Sequence, residues 1–260
     1  EHRDYQRWLG TGQWMVTIGR YDIAYAVNSL AKYSSAPRQG HLQRLLRVYG
    51  YLAKHPDLKL LMDATPISND CPKFCWDEDH LHEYPQNAKD INLTSDQMFP
   101  TPDGTKLKVT YFTDADHGHD KESGRSVTGF IGFFGSAPIE WHSKRQSTVS
   151  TSTYASEFAA LRTTVEAAEA MACFLRSLGI EPDGPVTILS DNMSVLQSTA
   201  PGSELKKKHV MLHYHKSRQV AAHGIVSYAF VESQYNIADL LTKSLDRVKH
   251  WRIMNMIPQE

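Results

Sequence analysis

Four acidic side chains, Asp114, Glu157, Asp191 and Asp239, stand where chemistry is commonly done. Asp114 ends a run in which Leu107, Val109 and Tyr111 alternate with Lys106, Lys108 and Thr110. That period is the mark of a half-buried strand, and parity puts Asp114 on one face with Lys108, Thr110 and Phe112. Glu157 lies in the first turns of a long helix, directly before its apolar stripe. Asp191 follows the compact apolar run Val186–Leu189, at the strand end where α/β sheets place their reactive groups. Asp239 sits in the first turn of a last helix. Carboxylates gathered without cations repel one another, and the use for such a gathering is to hold hard divalent ions. Two Mg²⁺ ions about 4 Å apart activate a water and stabilise the leaving oxygen of a phosphodiester. Each acid alone has a plainer reading. Asp239 follows Asn236 by three residues and suits a capping pair. Glu157 favours the helix dipole, Asp191 caps the next helix, and Asp114 is a turn residue. The four together, in this element order, outweigh those readings.

The elements that must position them follow from apolar spacing. Leu107 to Tyr111, Ser126 to Gly135 and Ile139 to Lys144 are short β-rich runs, an antiparallel meander of three strands. Phe158, Leu161, Val165, Ala168, Ala172 and Leu175 then step at three and four, one long amphipathic helix ending near Gly179. Val186–Leu189 and Ile225–Val231 read as strands. A helix from Met193, another over Val210–Ala222 and a last one from Asn236, carrying Leu240, Leu241 and Leu245, complete a βββ-α-β-α-α-β-α domain. Upstream, Ile23, Val27 and Leu30 mark one helix, and Leu42, Leu45, Tyr49 and Leu52 another. Ser34–Gly40 links them, and Asp57–Met62 is read as a strand. Residues 64–104 carry five prolines and the acidic cluster Asp77–Asp79, the pattern of a long, mobile connection.

The 260 residues are 41% hydrophobic and 22% charged, figures of a globular chain with room for one large or two small domains. No apolar run reaches the roughly 20 residues of a membrane span. None of the opening residues reads as a signal peptide, and Glu1 in place of Met is expected of a fragment or a processed chain. Three cysteines, Cys71, Cys75 and Cys173, suit a reducing compartment better than a disulfide framework. The formal charge of −1 hides asymmetry. Residues 1–60 hold nine basic and four acidic side chains, 61–100 hold two and eight, and 101–260 hold 17 of each. A basic opening block suits phosphates, or is a solvated helix face.

The words around the four acids resemble a known family. Tyr111-Phe-Thr-Asp-Ala-Asp116, Gly124-Arg-Ser-Val-Thr-Gly-Phe130 and Trp141-His-Ser-Lys-Arg-Gln-Ser-Thr148 are followed by Ala155-Ser-Glu-Phe-Ala-Ala160. Leu189-Ser-Asp-Asn192, Lys208-His209, Tyr214-His215 and Asn236-Ile-Ala-Asp-Leu-Leu-Thr-Lys243 come after them in order. Over residues 106–246 the chain resembles the ribonuclease H region of copia-type LTR retrotransposon Pol polyproteins. Residues 5–62, through Tyr21-Asp-Ile-Ala-Tyr-Ala-Val27, resemble the segment between the polymerase palm and that region. Tyr21 stands where the family usually has proline. Val231–Asp239 lacks the histidine that many ribonucleases H carry before the last acid, as copia-type members often do.

The resemblance implies a ribonuclease H-like α/β fold, with a mixed five-stranded sheet flanked by helices and preceded by a small helical segment. The division expected is 1–63 as a helical segment like a reverse transcriptase thumb or connection, 64–104 as an acidic linker, 105–248 as the nuclease-like domain and 249–260 as a tail. The small helical segment is expected beside the nuclease domain or tethered to it. Asp114, Glu157, Asp191 and Asp239 match the family's metal-binding and catalytic acids, with Asp114 preferred over its neighbour Asp116. The implied cofactor is a pair of Mg²⁺ ions, with Mn²⁺ as a substitute. The implied substrate is the RNA strand of an RNA–DNA hybrid, told from DNA by its 2′-hydroxyls. Lys144, Arg145, Arg125, Asn192 and Lys207 are the candidate nucleic-acid contacts, with binding salt-sensitive and largely blind to sequence. The rest of the Pol polyprotein is the implied partner, no membrane is involved, and the location is the cytoplasmic particle or the nucleus. A non-catalytic ribonuclease H-like binding module is the alternative reading. An integrase- or transposase-type nuclease is a third, disfavoured by the three-strand start and by Asp239 where a glutamate would stand. No Tyr-x-Asp-Asp polymerase signature is present.

Lesser signals remain. Cys71, Cys75, His80 and His82 offer zinc ligands, but their C-x3-C-x4-H-x-H spacing fits no common module and favours free thiols in a solvated loop. His117 and His119 flank Gly118 near the acids and read as loop histidines. Cys173 reads as helix packing.

Overall fold

The computed structural model describes residues 2–65, 73–74, 100–104, 106–120, 122–200 and 211–258. The sheet grows outward from β2 (Val109–Asp120). On one side β2 pairs antiparallel with β3 (Arg125–Phe134), and β3 with β4 (Ala137–Arg145). On the other it pairs parallel with β5 (Val186–Ser190), which pairs parallel with β6 (Val226–Phe230). These are the five strands expected, in the mixed arrangement expected. A sixth, β1 (Lys73–Phe74), pairs antiparallel with β6 at the edge, so the stretch read as linker contributes to the sheet.

Side-chain alternation divides the core in two. Tyr111, Ile188 and Tyr228 point to the face covered by α4 (Thr153–Ser177), where Phe158, Leu161, Val165 and Leu175 meet them. The short α5 (Met193–Thr199) and α6 (Met211–Ala222) complete that layer. Phe112, Leu189 and Ala229 point to the opposite face, against α7 (Asp239–Thr242) and α8 (Arg247–Met254).

The N-terminal part has three helices where two were expected. α1 (His2–Ile18) was missed, its stripe being short of strong apolar residues; α2 (Ala24–Ala31) and α3 (Gln39–Lys54) follow. Their own core is Tyr5, Leu9, Ile23, Val27, Leu30, Leu45 and Leu52. Tyr21 and Ala24, however, belong to the second core of the sheet domain. The Trp141 indole donates to the Val16 carbonyl at 2.8 Å, and the Tyr51 hydroxyl meets His250 Nε2 at 3.2 Å. The segment is therefore packed on the sheet domain, not tethered to it.

Three expectations need correction. Residues 57–62 form no strand. They lie in irregular chain, where Leu58 and Leu60 pack against the second core as single side chains. The last helix is shorter than expected, α7 covering only Asp239–Thr242, and a further one, α8, follows it because Asp246 caps a new start through Val248 N and Lys249 N at 2.8 and 2.9 Å. Of the stretch 249–260 expected as a tail, residues 249–258 pack on the domain: Ile253, Met254 and Ile257 are buried in the second core.

One close approach bears on the site. A Cβ added at Gly129 of β3 would sit 2.6 Å from Thr242 Cγ2 and 2.9 Å from Leu241 Cβ. Gly129→Ala should push α7 off the sheet and cost about 1–3 kcal/mol, the range for overpacking, read as a lower urea midpoint.

Candidate active site

Three of the four acids converge. Carboxylate oxygens of Asp114, Glu157 and Asp191 all lie within 4.8 Å of one another. Asp114 comes from the middle of β2, on the parity expected, and Asp191 from just past the end of β5. Glu157 is placed by the start of α4, where Ser152 accepts from Ala155 N at 3.2 Å as the cap. Gln146 fixes that start to the sheet: its amide donates to Thr128 Oγ1 at 3.0 Å and to the Ser156 carbonyl at 2.9 Å.

Asp239 lies beside the three but outside their group. Its oxygens meet Lys243 Nζ and Lys249 Nζ, each at 2.5 Å. Lys243 also reaches Asp114 at 3.5 Å, and the Thr242 hydroxyl donates to the same carboxylate. Asn236 anchors this corner. Its amide donates to the Thr113 carbonyl at 3.1 Å, and its side-chain oxygen accepts from Ala238 N at 3.2 Å. Thr242, Lys243 and Lys249 were not anticipated. Lys243 was legible in principle, because it stands four residues after Asp239 on one helix face. Nothing in sequence spacing announced Lys249, which arrives from the next helix.

Asp116 stays out of the group although β2 runs past it. It faces Tyr25 of α2, whose phenol is pushed up to about 12 by burial and by the Asp116 charge. His117 is exposed, with Nδ1 at 3.2 Å from Ser156 Oγ.

Electrostatics show what the site lacks. Burial first, then the charges of Asp239 and Asp191, pushes Asp114 up to about 7, against the pull of Lys243 and Thr242. Burial, Asp114 and Asp191 push Glu157 up to about 9. Burial lowers Lys243, but Asp114 and Asp239 more than offset it and hold the ammonium charged. Three crowded carboxylates, with the proton affinity of Asp114 and Glu157 raised, are a hard-oxygen donor set short of positive charge, and they fit a divalent cation such as Mg²⁺ or Mn²⁺. The folded state then binds more protons than the unfolded one between the ordinary carboxylate range and these raised values. Stability of the metal-free protein must fall as pH rises through that interval. Melts in EDTA between pH 7 and pH 9, above the histidine range, should show a falling midpoint that Glu157→Gln flattens.

The candidate nucleic-acid contacts are only partly assembled. Arg125, Lys144 and Arg145 line one groove of about 400 Å³ between β3, β4 and α2, together with Lys32. Arg145 Nη1 and Lys32 Nζ both meet Asp120, at 2.5 and 2.9 Å. Hydrogen bonds from Ser123, Lys32 and Arg145 hold the Asp120 carboxyl well below the usual range. Asn192 caps α5, its Oδ1 accepting from Val195 N at 3.2 Å. Lys207, the Lys206–Lys208 run and the Cys71, Cys75, His80 and His82 set lie outside the described residues. Among the described residues no helix is long and apolar enough to cross a membrane.

No protein-family model matches the chain. Over 94% of its length it is 27% identical to the retrovirus-related Pol polyproteins from transposons RE1 and RE2 of Arabidopsis thaliana, of which it spans 14%. Among solved structures, the N-terminal ribonuclease H domain of a Mycobacterium tuberculosis protein aligns with 58% of this chain and 98% of its own, at 14% identity and a TM-score of 0.42. Over nearly its whole length the chain is thus similar to one part of these Pol polyproteins, and its strand order around β2 is the mixed arrangement expected of a ribonuclease H-like fold.

Proposed function

We propose that the chain is a metal-dependent endonuclease that hydrolyses the RNA strand of RNA–DNA hybrids during reverse transcription of a copia-type retrotransposon. The observation that carries this reading is the trio of carboxylates within 4.8 Å at the sheet's reactive end. Asp114, Glu157 and Asp191 would hold the ions. Two Mg²⁺, or Mn²⁺ in their place, would supply an activated water and offset charge on the leaving oxygen. The chain's own groups do the positioning. Thr242 and Lys243 fix the Asp114 carboxylate, and Gln146 fixes the helix start that carries Glu157. Asp239 is the fourth acid of the site, with Lys243 and Lys249 as its present counter-charges. Arg125, Lys144 and Arg145 line the groove through which phosphates of the hybrid pass, and Lys207 and Asn192 are further contacts of the proposal. The polymerase part of the same polyprotein is the partner that makes the hybrid, in the cytoplasmic particle or the nucleus.

A substrate panel tests this. RNA labelled at one end is supplied as a hybrid, as duplex RNA and as a single strand, beside labelled duplex DNA. The expected outcome is cutting of the hybrid's RNA alone. Equal cutting of duplex DNA would replace this reading with a general nuclease.

A further inference from the structure

A second cleft, of about 500 Å³, opens between the N-terminal helices and the last two helices. Tyr25, Arg44, Arg47, Tyr51, Lys243 and His250 line it. The one acid that lines it among the described residues, Asp22, is already met by Arg20, with Nε at 3.0 Å and Nη2 at 2.9 Å. Arg44 and Arg47 stand one turn apart on α3, exposed, and neither meets a carboxylate among the described residues. The cleft is thus positive, with two aromatic rings for the apolar part of a ligand. It is also continuous with the carboxylate site. Lys243 lines the cleft and touches Asp114 and Asp239, while Tyr25 lines it and faces Asp116.

A site built of carboxylates repels every phosphate of its substrate, so neighbouring phosphates need cations close by. Arg guanidiniums suit that task because their planar fork matches phosphate oxygens. We propose that this cleft seats backbone phosphates of one strand of the same RNA–DNA hybrid, beyond the bond being cut, with Arg44 and Arg47 as the phosphate ligands. The proposal rests on the nuclease reading for its ligand, and it makes the helical segment part of the substrate site.

The test uses the full chain and a fluorescent 20-base-pair RNA–DNA hybrid in EDTA, so binding is read without cleavage. Arg44→Ala/Arg47→Ala is compared with Arg3→Ala/Arg7→Ala, which removes the same charge from α1 outside the cleft. At 0.1 M salt the first pair should weaken binding about tenfold and reduce the salt slope by about two phosphate contacts. The control pair should change affinity less than twofold, and thermal melts of both should match the parent. Equal losses from the two pairs, or no loss from Arg44→Ala/Arg47→Ala, would overturn the cleft proposal. If binding depends on Arg44 and Arg47 but Mg²⁺ then gives no cleavage, the nuclease reading fails and the cleft stands. Normal cleavage with unchanged binding would show the reverse.

Discussion

Asp191→Asn is expected to lower hybrid cleavage by about 10³-fold or more while the protein melts no lower than the parent. The loss corresponds to about 4 kcal/mol of transition-state stabilisation, in the range a metal site supplies. The fold should tolerate the change because Asp191 is half-buried at the end of β5, and its charge raises the proton affinity of both Asp114 and Glu157. Removing it relieves repulsion in the metal-free state. Asp239→Asn should behave differently. It leaves Lys243 and Lys249 facing a neutral amide, and because both ammoniums are about one-third exposed the cost is about 2 kcal/mol, well under that of a fully buried pair. A mutant Asp191→Asn with wild-type cleavage removes that residue from the site; one that melts far below the parent removes the repulsion argument.

Tyr21→Ala is expected to destabilise the whole chain by about 3–5 kcal/mol, the cost of emptying a buried aromatic site. Tyr21 is fully buried, with its ring centroid 5.7 Å from that of Trp141. It packs in one cluster with Phe112, Ile131, Leu240 and Leu241. For a chain of this size that is a drop of about 10 °C in melting temperature. A single cooperative transition at lower temperature is the expected outcome. Two separated transitions, with only the first one shifted, would mean that the helices fold apart from the sheet. For the same reason, removing residues 1–100 would strip cover from the sheet's second face, so point changes on α3 are the usable probes of the basic block.

What was legible in the sequence follows from how local each signal is. The meander and the long helix were readable because their apolar periods are regular, and the two parallel strands because each is a short, compact apolar run. The face of Asp114 was readable from parity alone. The break between α7 and α8 was not, since it depends on the Asp246 cap and on Ile253 and Met254 finding a core supplied by residues over a hundred positions away. α1 was missed because it buries few residues, Tyr5 and Leu9 among them. At the site, strand parity pointed to Asp114, the helix start to Glu157 and the strand end to Asp191, although β2 runs on past Asp114 to Asp120. The state of Asp239 was set by Lys249, a side chain from a separate helix that spacing gives no means to place. The pairing of Arg145 with Asp120 was hidden likewise, because the two side chains come from β4 and β2, with β3 between them.

The most direct test of the central claim is cleavage of a 5′-labelled RNA strand annealed to DNA, followed by gel with Mg²⁺ present and then with EDTA in excess. The account predicts shortened RNA with Mg²⁺, none after chelation, and an intact DNA strand throughout. Cleavage that continues unchanged in EDTA, or a hybrid left whole with Mg²⁺ and Mn²⁺ alike, would contradict it.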